Sequence, residues 1–250
     1  MRNIRLRLEY DGTDFHGFQR QSRLRTVQGV LEERFSRVLR EPIKVIGAGR
    51  TDAGVNATGQ VASFRTTRPV PMERLAGVLN AALPADVQVQ GCQEVGEDFH
   101  ARRSARSRAY VYTVIERAYP SPVLGRFALV VPEKLSVALM VEAAAGLVGR
   151  HDFRAFQAAG SETKTTERTV MRLECRRQAE RVAITAEADS FLYQMMRLMV
   201  SGLLAVGRGR LAPEGLCEVL GTGERPAAAK GPAPACGLCL VQVSYGEACA

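Results

Sequence analysis

Ile4-Arg5-Leu6-Arg7-Leu8-Glu9-Tyr10 alternates apolar and charged residues without a break, and Asp11-Gly12-Thr13-Asp14-Phe15-His16-Gly17-Phe18 follows it. Alternation at period two marks a strand with one face buried and one face wet. The glycines and aspartates after it mark a loop. From Thr26 the period changes. Val27, Val30, Leu31, Phe35, Val38 and Leu39 share one helical face, Thr26 is placed to cap its start, and Pro42 stops it. Residues 43–46 then read as a strand, the glycine-rich 47–54 as a turn, and 60–65 as a strand. A helix over 72–82 and a strand over 87–95 complete the first hundred residues. Strands interleaved with helices in this order give an α+β layout with antiparallel pairing.

The rest of the chain keeps the same rhythm. Residues 110–114 alternate as a strand, and 119–133, with three prolines, read as a connection. A helix over 136–146, strands over 170–176 and 181–188, an amphipathic helix over 191–206 and a closing strand over 238–245 follow. Residues 221–234, rich in Pro, Gly and Ala, read as an extended loop rather than a packed element. The expected organisation is a first lobe over 1–112, a connection over 113–135 and a related second lobe over 136–250.

A chain of 250 residues with 46% hydrophobic and 24% charged residues can bury a sizeable core without staples. That balance excludes disorder, collagen and a small disulfide scaffold as overall classes. The start of the chain has no apolar signal core, and the most apolar stretch, 195–207, is too short to span a bilayer and carries Arg197. The expectation is a cytoplasmic protein with no membrane partner. Cysteines stand at 92, 175, 217, 236, 239 and 249, scattered as reduced thiols are in a cytosolic enzyme. Cys236 and Cys239 form a lone CxxC, and His16, His100 and His151 are far apart in sequence, so no metal is expected.

Lys and Arg number 34 against 26 Asp and Glu, a formal charge of +8, and only four of those cations (Lys44, Lys134, Lys164, Lys230) are lysines. Arginine grips phosphates bidentately and stacks on bases; lysine does neither. The excess is clustered. Arg102, Arg103, Arg106 and Arg108 fall in nine residues with no acid, and residues 168–181 add five arginines against two glutamates. This footprint suits a nucleic-acid partner, against the plainer reading of solvated basic faces.

Gly47-Ala48-Gly49-Arg50-Thr51-Asp52-Ala53-Gly54-Val55-Asn56 sets an acid and a base two residues apart in a turn whose glycines let a ligand backbone come close. A carboxylate beside an RNA phosphate chain is electrostatically unfavourable unless it does chemistry, which makes Asp52 a candidate nucleophile. Taken alone, an Asx turn or helix cap is the competing reading.

The same turn, followed by Gly59-Gln60-Val61, resembles the signature of the tRNA pseudouridine synthase A family. So do EYDGTDFHGFQRQ, TVQGVLEE, FHARRSA leading to RAYVYTV, SFLYQMMRLMVSGLLAVGRG, and the late loop before GLCLVQVSY. These blocks, in order, cover nearly the whole chain. The resemblance implies two related lobes sharing a continuous central antiparallel sheet, and isomerisation of uridine in the anticodon stem-loop of tRNA, at positions 38 to 40. It implies Asp52 as catalytic aspartate, Arg50 as the residue that holds the target nucleotide out of the stack, and Tyr110 as the one that stacks on uracil and helps remove the C5 proton. Arg197 would be the basic partner of Asp52 and Leu238 an apolar wall of the pocket; Arg102, Arg103 and Arg106 would meet the RNA backbone. It also implies a homodimer.

Pseudouridine formation breaks the N1–C1′ bond, turns the uracil and joins C5 to C1′. Nothing is oxidised or hydrolysed, so no cofactor is expected. The carboxylate attacks C1′, assists departure of the base or adds to C6, and all of these routes fit these residues. Unstacking the base costs a few kcal/mol, which stacking on Tyr110 offsets in part. Two other classes compete: a non-catalytic RNA-binding module on the same basic face, and a phosphohydrolase built on Asp11 and Asp14.

Overall fold

The computed structural model describes every residue except 161, 162, 164 and 247–250. In chain order the elements are β1 (Arg2–Tyr10), α1 (Val27–Leu39), β2 (Ile46–Gly47), β3 (Asn56–Thr66), α2 (Met72–Asn80), β4 (Val87–Val95) and β5 (Ala105–Glu116). Then come β6 (Leu129–Val131), α3 (Val137–Ala145), β7 (Gly149–Asp152), β8 (Glu167–Gln178), β9 (Arg181–Ala188), α4 (Met195–Gly207), α5 (Pro213–Thr222) and β10 (Leu238–Tyr245). This is the α+β class expected. The chain forms two compact units: Met1–Arg106 with Cys239–Ala250, and Ser107–Leu238. The boundary thus falls before most of β5 rather than at 112, and the last strand belongs with the first unit. The expected connection over 113–135 lies wholly inside the second unit.

In the first unit the hydrogen-bonding order is β4–β1–β3–β10, with β2 on β3. Strand β1 pairs antiparallel with both neighbours, Leu6 opposite Ala62 on one side and Cys92 on the other. Its alternation works as the sequence implies: Ile4, Leu6, Leu8 and Tyr10 are buried while Arg7 and Glu9 are exposed. Helix α1 begins where Thr26 accepts a hydrogen bond from the Gly29 N–H, and it buries Val27, Leu31, Phe35 and Leu39. Its far end is closed by Arg68, whose side chain donates to the carbonyls of Leu39 and Arg40 at 2.6 and 2.7 Å.

Strand β10 pairs with β3 in parallel, Cys239 opposite Asn56, so the antiparallel rule has an exception in this unit. The strand expected over 43–46 is cut to Ile46–Gly47. Side chains of α1 take the missing ladder bonds: Ser36 accepts from the Ile43 N–H, Glu32 accepts from the Val45 N–H, and Gln28 donates to the Val45 carbonyl.

In the second unit the order is β5–β9–β8–β7, with β6 parallel to β5. Strands β8 and β9 close a hairpin at Gln178 and Arg181 through a two-residue loop whose Ala179 has φ +53°. Helix α4 is the centre of this unit. Eleven of its thirteen residues are buried, so it is a core helix, apolar nearly all round, where an amphipathic one was expected. It also starts late, at Met195, because Gln194 sits in the left-handed region at φ +59°. Residues 221–234 are not simply extended. Thr222 ends α5, Ala227–Ala229 forms a 3-10 turn, and Ala229 and Ala233 are buried.

Candidate active site

The loop bearing Asp52 is held against the loop after β1, within the first unit. The Phe18 N–H donates to the Thr51 carbonyl at 3.0 Å, and the Gly54 N–H donates to the Phe15 carbonyl at 3.3 Å. The Val55 N–H closes the turn on the Asp52 carbonyl at 3.2 Å. Two glycines permit this closeness. A Cβ on Gly12 would stand 2.1 Å from the Val55 carbonyl oxygen, and Gly17, at φ +86°, would put one 2.7 Å from that of Thr51. Asn56, buried, accepts from the Gly12 N–H at 2.8 Å and so pins the same junction. Asp52 itself is half-buried and Arg50 exposed.

Tyr10 and Gln60, read from sequence as strand residues, reach this loop through their side chains. The Tyr10 hydroxyl meets Thr51 Oγ1, and Gln60 donates to the Gly49 carbonyl. The signal in the sequence was a tyrosine closing an apolar strand face directly before the loop, but its partner is 41 positions away.

The arginine loop stands on the same base. Ala48, Val61, Phe99 and Ala101 form one buried apolar cluster, with Val95, Val243 and Tyr245 packed on it. Ala48 lies two residues before Arg50, and Ala101 one before Arg102. The Tyr245 hydroxyl donates to the Ala101 carbonyl at 2.7 Å, and its ring meets Phe99 at 5.1 Å. Arg102, Arg103 and Arg106 are exposed. His100 shapes the turn: its Nδ1 accepts the backbone N–H of Arg102 at 3.2 Å and of Arg103 at 3.3 Å. Burial, then the charges of Arg103 and Arg102, push the His100 pKa below its ordinary value, which favours the neutral ring that can accept.

The second unit carries Tyr110, Arg197 and Leu238. Tyr110, on β5, is 7% exposed and meets Phe191 edge-on at 5.0 Å. Arg197, on α4, is half-buried, not a surface cation: its Nε donates to the Ala233 carbonyl at 2.7 Å, and the Ala233 N–H donates to the Arg197 carbonyl at 3.0 Å. Tyr112, not singled out from the sequence, is fully buried and donates to the Pro234 carbonyl at 2.9 Å. Arg197 and Tyr112 thus hold the 233–234 segment between them. Gly237 fits against Tyr112, whose ring carbons a Cβ there would approach to 2.7 Å. Leu238, 5% exposed, opens β10.

Among the described residues, no three His, Cys, Asp or Glu are grouped to hold a metal ion, and no helix is long and apolar enough to cross a membrane. Asp11 is spent on an Asx turn with Thr13, accepting from its N–H at 2.9 Å and its hydroxyl at 2.5 Å. Cys92, Cys175, Cys217, Cys236 and Cys239 are reduced thiols, and Cys249 lies outside the described residues. Burial pushes the Cys92 thiol up to about 11 and Cys175 to about 12.

Residues 8–102 and 143–246 match the family model described as tRNA pseudouridine synthase. "tRNA pseudouridine synthase A 2" of Clostridium perfringens is 40% identical over 245 residues, covering 98% of this chain and 100% of that one. "tRNA pseudouridine synthase A" of Acetivibrio thermocellus is 39% identical with the same coverage. The protein of that name from Moorella thermoacetica is 41% identical over 97% of this chain and 99% of its own. A solved structure titled "Crystal Structure of a Cbf5-Nop10-Gar1 Complex" matches 81% of this chain and 54% of that one at 12% identity and a TM-score of 0.33, too loose to carry an argument. With its Asp52 turn, its arginine loop and full-length relatives of one name, the chain belongs to the tRNA pseudouridine synthase family, isomerases acting on uridine in tRNA.

Proposed function

We propose that this chain isomerises uridines 38 to 40 in the anticodon stem-loop of tRNA, with Asp52 as nucleophile and no cofactor. The observation that carries the reading is the clamped turn: a half-buried carboxylate on a loop fixed by backbone hydrogen bonds, above an apolar base shared with an arginine loop. A fixed carboxylate is what attack at a single carbon requires, because misplacement by an ångström costs about a hundredfold in rate. Arg102, Arg103 and Arg106 supply phosphate contacts, and Arg50 holds the flipped nucleotide. Tyr110, Leu238 and Arg197 take the parts the family resemblance gives them: stacking on uracil, walling the pocket, and charge partner to Asp52. Tyr110 is already packed on Phe191, so it offers a base a pre-set ring rather than a mobile one. The reading includes a homodimer in the cytoplasm, tested by light scattering at micromolar concentration.

Asp52→Asn tests the chemistry. It keeps the side chain's size and removes the charged oxygen pair, so tritium release from C5-labelled tRNA falls by at least about a thousandfold. Filter-binding affinity stays within a few fold of the parent, since it rests on arginine–phosphate contacts. Substantial release by the variant sinks the assignment of Asp52. Labelled tRNA bearing uridine only outside the anticodon arm should give none.

A further inference from the structure

Beneath the Asp52 turn lies a polar chain with every member buried: Tyr10 is 3% exposed, Gln60 0% and Thr51 6%. The Gln60 amide is fully committed. Its Oε1 accepts the Val61 N–H at 3.1 Å, and its Nε2 donates both to the Gly49 carbonyl at 3.0 Å and to the Tyr10 oxygen at 3.3 Å. The Tyr10 oxygen accepts there, and the same hydroxyl shares a second hydrogen bond with Thr51 Oγ1 at 2.9 Å. The chain therefore grips the peptide on both sides of Arg50, at Gly49 and at Thr51. Asp52 is the next residue. Burial raises the Tyr10 hydroxyl to about 12, so it stays protonated across any working pH.

Such a chain is costly to bury and needs every partner satisfied. A phenylalanine in place of Tyr10, beside an apolar neighbour, would close the strand end at lower cost in desolvation. We infer that Tyr10 and Gln60 are positioning residues for the reaction, fixing the bearing of the Asp52 carboxylate through the hydrogen bonds to Thr51 and Gly49. The inference rests on Asp52 being the nucleophile. Neither side chain touches substrate; each acts through the backbone that carries the carboxylate.

The experiment compares Tyr10→Phe, Thr51→Val, the double variant and Thr51→Ser by single-turnover C5 tritium release at saturating tRNA, with filter binding alongside. Tyr10→Phe keeps the ring and removes one oxygen. It should lower the turnover rate about tenfold while KM and Kd stay within about twofold. Thr51→Val should do the same, and Thr51→Ser, which keeps the hydroxyl, should restore the rate. Because the two hydroxyls form one bond, the double variant should lose no more than either single one. A Tyr10→Phe rate within about twofold of the parent overturns the inference. So do losses that multiply in the double variant, or an effect on KM alone. Failure of the nucleophile assignment is seen separately, as tritium release by Asp52→Asn.

Discussion

The two units hold their candidate residues by different forces. In the first, Asp52 rides a loop fixed by hydrogen bonds, with glycines that let two backbones meet and a buried polar chain beneath. In the second, Tyr110 projects from a twelve-residue strand onto Phe191, and Arg197 from a helix buried almost all round. Apolar packing tolerates small shifts, since a ring that slides still stacks. In the role proposed for Asp52, a carboxylate has to meet one carbon along one line, and directional bonds suit that task.

The widest break in this contrast comes from a cavity in the second unit. Leu203→Ala, at a fully buried α4 position, should cost about 2–5 kcal/mol in urea unfolding. If loss of Leu203 leaves the unfolding midpoint unchanged, packing is not what holds that helix. A finer cut uses two glycines in the same backbone region. Gly17→Ala meets the Thr51 carbonyl and should cost roughly 2 kcal/mol or more, whereas Gly209→Ala, at φ +67° with nothing within 4 Å, should cost only about 1 kcal/mol of left-handed strain. Equal costs would mean the two loops do not differ in how tightly they are clamped.

Smaller still is Arg103→Ala, which removes one exposed cation from the arginine loop. The slope of log affinity for tRNA against log salt should fall by about one unit, with tritium release at saturation unchanged. The smallest effect is one of pH. Glu41, just beyond α1, accepts hydrogen bonds from the hydroxyls of Thr66 and Thr67 and from the Thr67 N–H, and the Thr66 bond most of all holds its carboxyl below the ordinary value. A carboxyl depressed on folding adds stability that is present above its unfolded value, about 4.3, and is lost as pH falls through the lower folded value. Glu41→Gln should therefore flatten slightly the fall in urea midpoint over that acid range, and a curve identical to the parent's would remove Glu41 from the account.

What could be read from the sequence was whatever depends on neighbours along the chain. The alternation of Ile4–Tyr10, the Thr26 cap and the Gly-rich turn around Asp52 are local patterns, and each has its structural counterpart. What escaped depends on partners far away. Ile43 and Val45 look like strand, yet Ser36 and Glu32 take their amides first. Tyr112 and Arg197 became anchors of the 233–234 segment only because the fold brings that segment to them. The parallel β6, inside a proline-rich run, had only three residues to announce it.

Strand β10 has a consequence for synthesis. Its pairing at Cys239–Asn56 joins residues far apart in the chain, and Val243 and Tyr245 reach the apolar cluster beside the Asp52 and arginine loops only through it. A ribosome that has made residues 1–238 has made all of the second unit but leaves the first without its last strand. Every residue of the second unit is thus made before the strand that completes the first, and the arginine loop gains its Tyr245 anchor only afterwards. Until then the growing chain carries a basic but incompletely seated surface. The event that closes the first unit's core is also the one that seats the arginine loop.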